Sequence, residues 1–220
     1  MQGKKDFNTN QLEAFKQGLK ELNTLFWGPD LVVCERICNG DFFAPWHSLA
    51  EVMPPEFILI LDEFNAYPKR FASVDILCEA LQDNYVSLFV TNKAGVPAPL
   101  YQSCYLYEGA PLMGPPAIDM QRRFTEAGLL QSDSANEPPD HLAIEIEFLY
   151  FLLDKAQKSE RAEDLNIVYE FCGEVLLAWL PKLEKALDAE NDGRFFALAV
   201  GLLNGALRML CPSFSSPESA

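Results

Sequence analysis

Only two histidines, His47 and His141, occur in 220 residues, and that scarcity rules out a multi-histidine metal centre before any fold is considered. The chain also lacks a G-x-x-x-x-G-K-[ST] phosphate loop, a G-x-G-x-x-G after a strand pattern, a G-x-S-x-G elbow and an H-E-x-x-H pair. Basic residues are few: 17 Lys and Arg stand against 32 Asp and Glu, a net charge of −15 at pH 7. Such a balance repels nucleic-acid phosphates and anionic lipid and favours basic peptides or metal cations. Long hydrophobic runs are missing too. The strongest, Phe195 to Cys211, is interrupted by Asn204 and Arg208 and falls short of the roughly 20 residues needed to cross a bilayer. The opening residues, Met1-Gln2-Gly3-Lys4-Lys5-Asp6-Phe7-Asn8, carry no apolar h-region and no small-residue cleavage site, so a cytoplasmic chain is expected. No CxxC pair occurs among the six scattered cysteines. Cys34 and Cys38 lie one helical turn apart without further ligands at zinc-site spacing, and the six read as buried thiols rather than disulfides.

What the chain has is apolar and aromatic content, 49% and 12%, enough to bury a sizeable core as one compact domain or two tightly packed halves. The spacing predicts helices almost throughout. Leu12, Phe15, Leu19, Leu22 and Phe26 recur at steps of three and four over 11–26, and Gly28-Pro29 ends that helix. A second runs from Leu31 to Ile37 and stops at Asn39-Gly40. Four prolines punctuate Phe42 to Phe71, which predicts short helices joined by bends. Within it, Phe57 to Leu61 admits a strand reading, but helix is preferred because no run with period-two alternation lies nearby. Further helices are expected from Val74 to Val90 and over about 117–128. The Ser-, Asp-, Asn- and Pro-rich stretch 131–139 is the clearest linker. It divides a larger N-terminal part, 1–130, from a smaller C-terminal part, 140–212, and 213–220 reads as a disordered tail.

Beyond the linker, Leu142, Ile146, Leu149 and Leu153 mark one face of a helix and Ile144, Phe148 and Phe151 another, so this helix should lie in the middle of the fold. Leu165 to Leu187 contains Pro181, which should kink or split it after Trp179-Leu180. Phe195 to Leu210 closes the chain, with Gly201 and Gly205 spaced to let another helix backbone approach. The fold class expected is all-α.

The most informative segment is Glu137-Pro138-Pro139-Asp140-His141, directly before the apolar run from Leu142. Two prolines suit a first helical turn and hold a carboxylate and one of the two histidines on a stiff support, as a recognition site for a cationic ligand needs. A capped helix with acidic residues at its positive end is the competing reading. Catalytic readings are thinner: Ser103 and His141 supply a nucleophile and a base in principle, but nothing in the sequence brings them together. Glu145 and Glu147 lack the Glu-x-x-His pairs of a carboxylate-bridged metal site.

Several motifs follow one another over roughly residues 80–150: Tyr85-Val86-Ser87-Leu88-Phe89-Val90, Pro97-Ala98-Pro99-Leu100-Tyr101-Gln102-Ser103-Cys104-Tyr105, Leu112-Met113-Gly114, Phe124 with Gly128-Leu129, Glu137 to His141, and Glu145-Ile146-Glu147-Phe148. Their order and spacing resemble the TorD/DmsD family of redox-enzyme maturation chaperones. Trp179-Leu180-Pro181 and Phe195 to Ala199 are similar to the family's C-terminal helices, while residues 1–75 match only in being helical. Asn84 departs from the pattern, standing where the family more often has an acidic residue, with Asp83 beside it. The resemblance implies a TorD-like all-helical domain over 1–212. It also implies a cytoplasmic, non-enzymatic chaperone that binds the twin-arginine signal peptide of a molybdopterin-dependent oxidoreductase, assists cofactor insertion and delays export.

Carried onto matching positions, the resemblance places Asp140 and His141 in the pocket and Glu137 with Pro138 at its edge. Leu88, Phe89, Tyr101, Ser103 and Tyr105 form its wall. No cofactor, metal or nucleic acid is expected, nor stable membrane insertion. The partner is the leader with the folded part of its precursor, and the chain is a monomer or a dimer that exchanges C-terminal helices. The alternatives are a small hydrolase or nucleotide-dependent enzyme using Asp140 and His141, and a helical adaptor without signal-peptide specificity.

Overall fold

The structure is a computed structural model that describes residues 7–93, 95–107, 109, 113–129 and 137–211. Most of the linker, Leu112 of the Leu-Met-Gly element and the C-terminal tail lie outside these residues.

Helix α1, Thr9–Phe26, starts at a reciprocal cap in which the Asn8 side chain accepts from Gln11 N–H at 3.0 Å and the Gln11 side chain accepts from Asn8 N–H at 2.9 Å. Asp30 caps α2, Leu31–Asn39, through Val33 N–H, and Gly40 ends it at φ +90°, a conformation open to glycine without strain. Short α3, Ala44–His47, precedes α4, Pro55–Ala66, so the ambiguous run 57–61 is helical. A 3₁₀ turn, Tyr67–Arg70, leads to α5, Val74–Tyr85, which widens into a π-helical segment at Val86–Val90. Then come α6, Ser103–Leu106, α7, Pro115–Glu126, and α8, Leu142–Ser159. After them, α9, Ala162–Glu170, passes through a second π-helical segment, Phe171–Leu176, into α10, Leu177–Asp188, and α11, Arg194–Leu210, follows. No strand is present among the described residues. The fold is all-α, with one isolated antiparallel bridge between Tyr101 and His141.

Two local expectations are corrected. Pro181 lies inside a continuous α10, and the distortion is upstream, where the π segment ends at Leu176. A proline lacks the N–H that would bond the carbonyl four residues back, here that of Leu177, and its ring crowds that carbonyl. The wide π turn ends immediately before Leu177. Gly201 and Gly205 admit side chains rather than another helix backbone: a Cβ at 201 would meet Glu184 Oε1 at 2.7 Å, and one at 205 would meet Phe57 Cδ2 at 3.0 Å. Cys34, Cys78, Cys172 and Cys211 are buried free thiols as expected, whereas Cys38 and Cys104 are exposed.

The core is one apolar cluster. Helix α8 is buried on most sides, as its sequence implies, and α11 more completely. Helix α1 packs on α8, α4 and α10 pack on α11, and α2 packs on α5, so segments from before and after 131–139 interleave. The α1–α8 contact matters most here. Asn23 Nδ2 donates to Ala143 O at 2.7 Å, which fixes the C-terminal end of α1 beside the N-terminal end of α8.

Candidate functional site

The two prolines form a turn ahead of the helix instead of its first turn. His141 N–H donates to Pro138 O at 3.1 Å, and α8 begins at Leu142 with His141 as its N-cap. The segment 100–103 is stitched to this turn by main-chain hydrogen bonds, Gln102 N–H to Asp140 O at 3.0 Å and Leu142 N–H to Leu100 O at 2.8 Å, flanking the Tyr101–His141 bridge.

Asp140, expected to line an open pocket, is 0% exposed. Its Oδ2 accepts from Ser103 N–H at 2.9 Å and also from the Ser103 hydroxyl. A buried carboxyl group must find hydrogen-bond partners, and Ser103, itself buried, supplies two donors. Asp140 therefore holds the two segments together and does not face solvent. His141 is also buried. Its Nδ1 accepts from Ala143 N–H at 3.2 Å, capping α8. Burial lowers its pKa to about 4, against the opposing pull of Glu137 and Asp140, so the ring is neutral at pH 7.

Behind this corner lies a buried polar layer. Glu145 is fully buried and accepts from Trp179 Nε1–H at 3.0 Å. Burial drives its pKa well above the ordinary carboxylate range, the Trp179 hydrogen bond opposes, and nearby Asp140 adds to the rise. Tyr105, expected in the pocket wall, packs its ring on Trp179 at 5.4 Å and points its hydroxyl inward. Asp140 Oδ1, Glu145 Oε1 and the Tyr105 hydroxyl each lack a hydrogen-bond partner among the described residues. Leu88 and Phe89 are core: Phe89 meets Phe196 edge-on at 4.9 Å and Tyr85 at 5.1 Å.

The accessible part of the corner is aromatic and acidic. Glu137 and Pro138 are half-buried, as is Tyr101, whose hydroxyl donates to Glu137 Oε2 at 2.6 Å. The Tyr101 phenol is held far above its ordinary pKa by burial and by that carboxylate. Its ring meets His141 edge-on at 5.3 Å. Trp27, which the sequence reading missed, completes the group: its ring stacks on His141 at 5.1 Å with 17° between planes, yet the residue is 45% exposed. A signal was present, since Trp27 is a large aromatic lying off the buried stripe of α1 and directly before Gly28-Pro29.

The Ser103 hydroxyl is committed to Asp140 and His141 Nδ1 to the helix cap, so these two side chains do not form a nucleophile–base pair. Among the described residues, no group of three or more His, Cys, Asp or Glu side chains is placed to hold a metal ion. No described helix is long and apolar enough to cross a membrane.

Comparison with known proteins adds a family. The family model described as the nitrate reductase delta subunit matches residues 56–185. Chaperone protein TorD of Vibrio atlanticus is 31% identical over 159 residues, 70% of this chain and 71% of that protein. The protein of the same name from Photobacterium profundum is 30% identical over 127 residues, covering 56% of this chain and 58% of its own length. That from Aliivibrio fischeri is 31% identical over 113 residues, 50% and 53%. The chain thus spans little more than half the length of these last two. A crystal structure from Archaeoglobus fulgidus named for redox enzyme maturation aligns with 91% of this chain and 96% of its own, at 22% identity and a TM-score of 0.49.

Proposed function

Since the chain belongs to the nitrate reductase delta subunit family and has relatives named as TorD chaperones, we propose that it is a cytoplasmic binding chaperone. It takes up the twin-arginine signal peptide of a molybdopterin-dependent oxidoreductase, holds the precursor while its cofactor is inserted, and catalyses no reaction. The observation that carries the reading is the accessible rim of the corner, where the Glu137 carboxylate lies against the Tyr101 hydroxyl beside the His141 ring. A leader with paired guanidinium groups needs a carboxylate that accepts a planar fork, and an aromatic wall that packs against the side-chain stems. The net charge of −15 draws such a cationic segment in and accelerates encounter.

In this reading Glu137 touches the ligand, while Asp140 and Ser103 act by fixing the rim. Calorimetry with a twin-arginine leader peptide tests it. Glu137→Gln is expected to weaken binding by about 1–3 kcal/mol, the range for hydrogen bonds to charged groups, with unchanged helicity. Wild-type affinity in that variant removes Glu137 from the site. Equal binding of a Lys-Lys peptide points instead to an adaptor without leader specificity.

A further inference from the structure

Trp27 is a large aromatic left 45% exposed on a chain whose other two tryptophans, Trp46 and Trp179, are fully buried. Exposure of one apolar side chain is ordinary; exposure of one held this firmly is not. The turn that bears it is fixed by three side-chain hydrogen bonds to two neighbouring helices. Tyr85 donates its hydroxyl to Phe26 O at 3.0 Å and Gln82 Nε2 donates to Pro29 O at 3.0 Å, both from α5. Asn23 ties the preceding turn to α8 at Ala143 O. Gly28, next in the chain, sits at φ +114°, a conformation that a residue with a Cβ rarely adopts. Trp27 itself rests on the His141 ring, and that ring touches Tyr101, whose hydroxyl reaches Glu137. Trp27 directly follows α1 as its C-cap, outside residues 56–185 that the family model matches.

We propose that Trp27 is the stacking shelf for one arginine guanidinium of the bound leader, and that it sets the preference for arginine over lysine while Glu137 accepts the fork. The assignment rests on the leader-binding reading above. Tryptophan is the strongest aromatic partner for a cation. A guanidinium stacks flat on such a face and simultaneously donates two parallel hydrogen bonds, whereas an ammonium, a compact and strongly hydrated charge, gains less from the shelf. The neutral His141 beneath the indole adds no positive charge to oppose the ligand. Because the turn is already ordered, stacking costs little further immobilisation.

The experiment uses the full chain with twin-arginine and Lys-Lys versions of one leader peptide, by calorimetry and by tryptophan fluorescence. Trp27→Leu is expected to lower affinity for the arginine peptide about tenfold, within the range of a desolvated cation–π contact, and to leave the weaker lysine peptide unchanged, so that discrimination narrows. Trp27→Phe keeps most of the affinity, and the emission change that accompanies binding in the wild type disappears, because the remaining indoles are interior. Equal loss of both peptides in Trp27→Leu, undiminished discrimination, or an emission change that persists in Trp27→Phe overturns the assignment and leaves leader binding intact. Failure of the wild type to bind the arginine peptide refutes leader binding itself and takes the shelf with it.

Discussion

The two ends of α8 bury ionisable side chains in opposite ways. At its C-terminal end Lys16 of α1, with a side chain only 5% exposed, is paired with Asp154 at 3.1 Å and receives further support from Gln157 and Glu13. Burial alone would lower its pKa, but the hydrogen bond to Asp154 and the charge of Glu13 outweigh it and leave the ammonium above its ordinary value. At the N-terminal end Asp140 has hydroxyl and amide donors in place of a cation, Glu145 has an indole N–H, and each keeps an unpartnered oxygen. The first arrangement satisfies its charges. The second leaves polar capacity unfilled beside an accessible aromatic rim, and departures of that kind from full satisfaction tend to coincide with function.

The contrast can be broken first by truncation. Asp140→Ala leaves the Ser103 amide and hydroxyl buried without acceptors and is expected to cost about 3 kcal/mol, from about 1–3 kcal/mol for each stranded donor. Lys16→Ala is expected to cost about 1–2 kcal/mol, because Asp154 is partly exposed and retains Lys158 at 2.6 Å. Urea denaturation of the two variants checks the order, and an equal or reversed ranking removes the distinction between the ends.

Acid is the next lever. His141 has a folded pKa of about 4 against an ordinary 6.5, so between those values the unfolded chain holds the extra proton. Its contribution is complete above pH 6.5 and is lost as pH falls toward 4, by up to about 3 kcal/mol. Protonation also removes the Nδ1 lone pair that caps α8. The stability difference between wild type and His141→Asn is expected to shrink over that window, and a difference independent of pH contradicts a neutral buried ring.

Glu145→Gln should have the smallest effect at low pH, since burial favours the protonated carboxyl that glutamine mimics. The folded pKa lies above the ordinary 4.5, so the folded chain retains a proton that the unfolded chain releases, and wild-type stability falls as pH rises above that value. The variant should match the wild type within about 0.5 kcal/mol near pH 4.5 and gain on it at higher pH. Parallel pH profiles of unfolding free energy would place a charged Glu145 in the core.

The sequence made the helices easier to read than the corner they build. The stripe from Leu12 to Phe26 and the double face of α8 announce themselves by spacing, and Gly40 marks a helix end through its backbone freedom. The π segments do not, because one extra residue in a turn leaves the hydrophobic pattern nearly intact. Glu137 to His141 was legible as a stiff acidic turn, but the inward direction of Asp140 depends on Ser103, far away in the chain. Leu88 and Phe89 followed the same logic: their apolar character was plain, and the Phe26, Tyr85 and Phe196 rings around Phe89 make that residue interior. Trp27 depends on a tertiary stack with His141 that no local pattern contains.

The main-chain rungs joining Leu100 and Gln102 to Leu142 and Asp140 have a bearing on divergence. Amide and carbonyl groups pair regardless of the side chain each residue carries. Substitution at 101 or 137 can therefore repaint the rim while the scaffold beneath keeps its register, provided that Asp140 and Ser103 stay. The edge of a protein built this way can change its chemistry by a few letters, without renegotiating its interior.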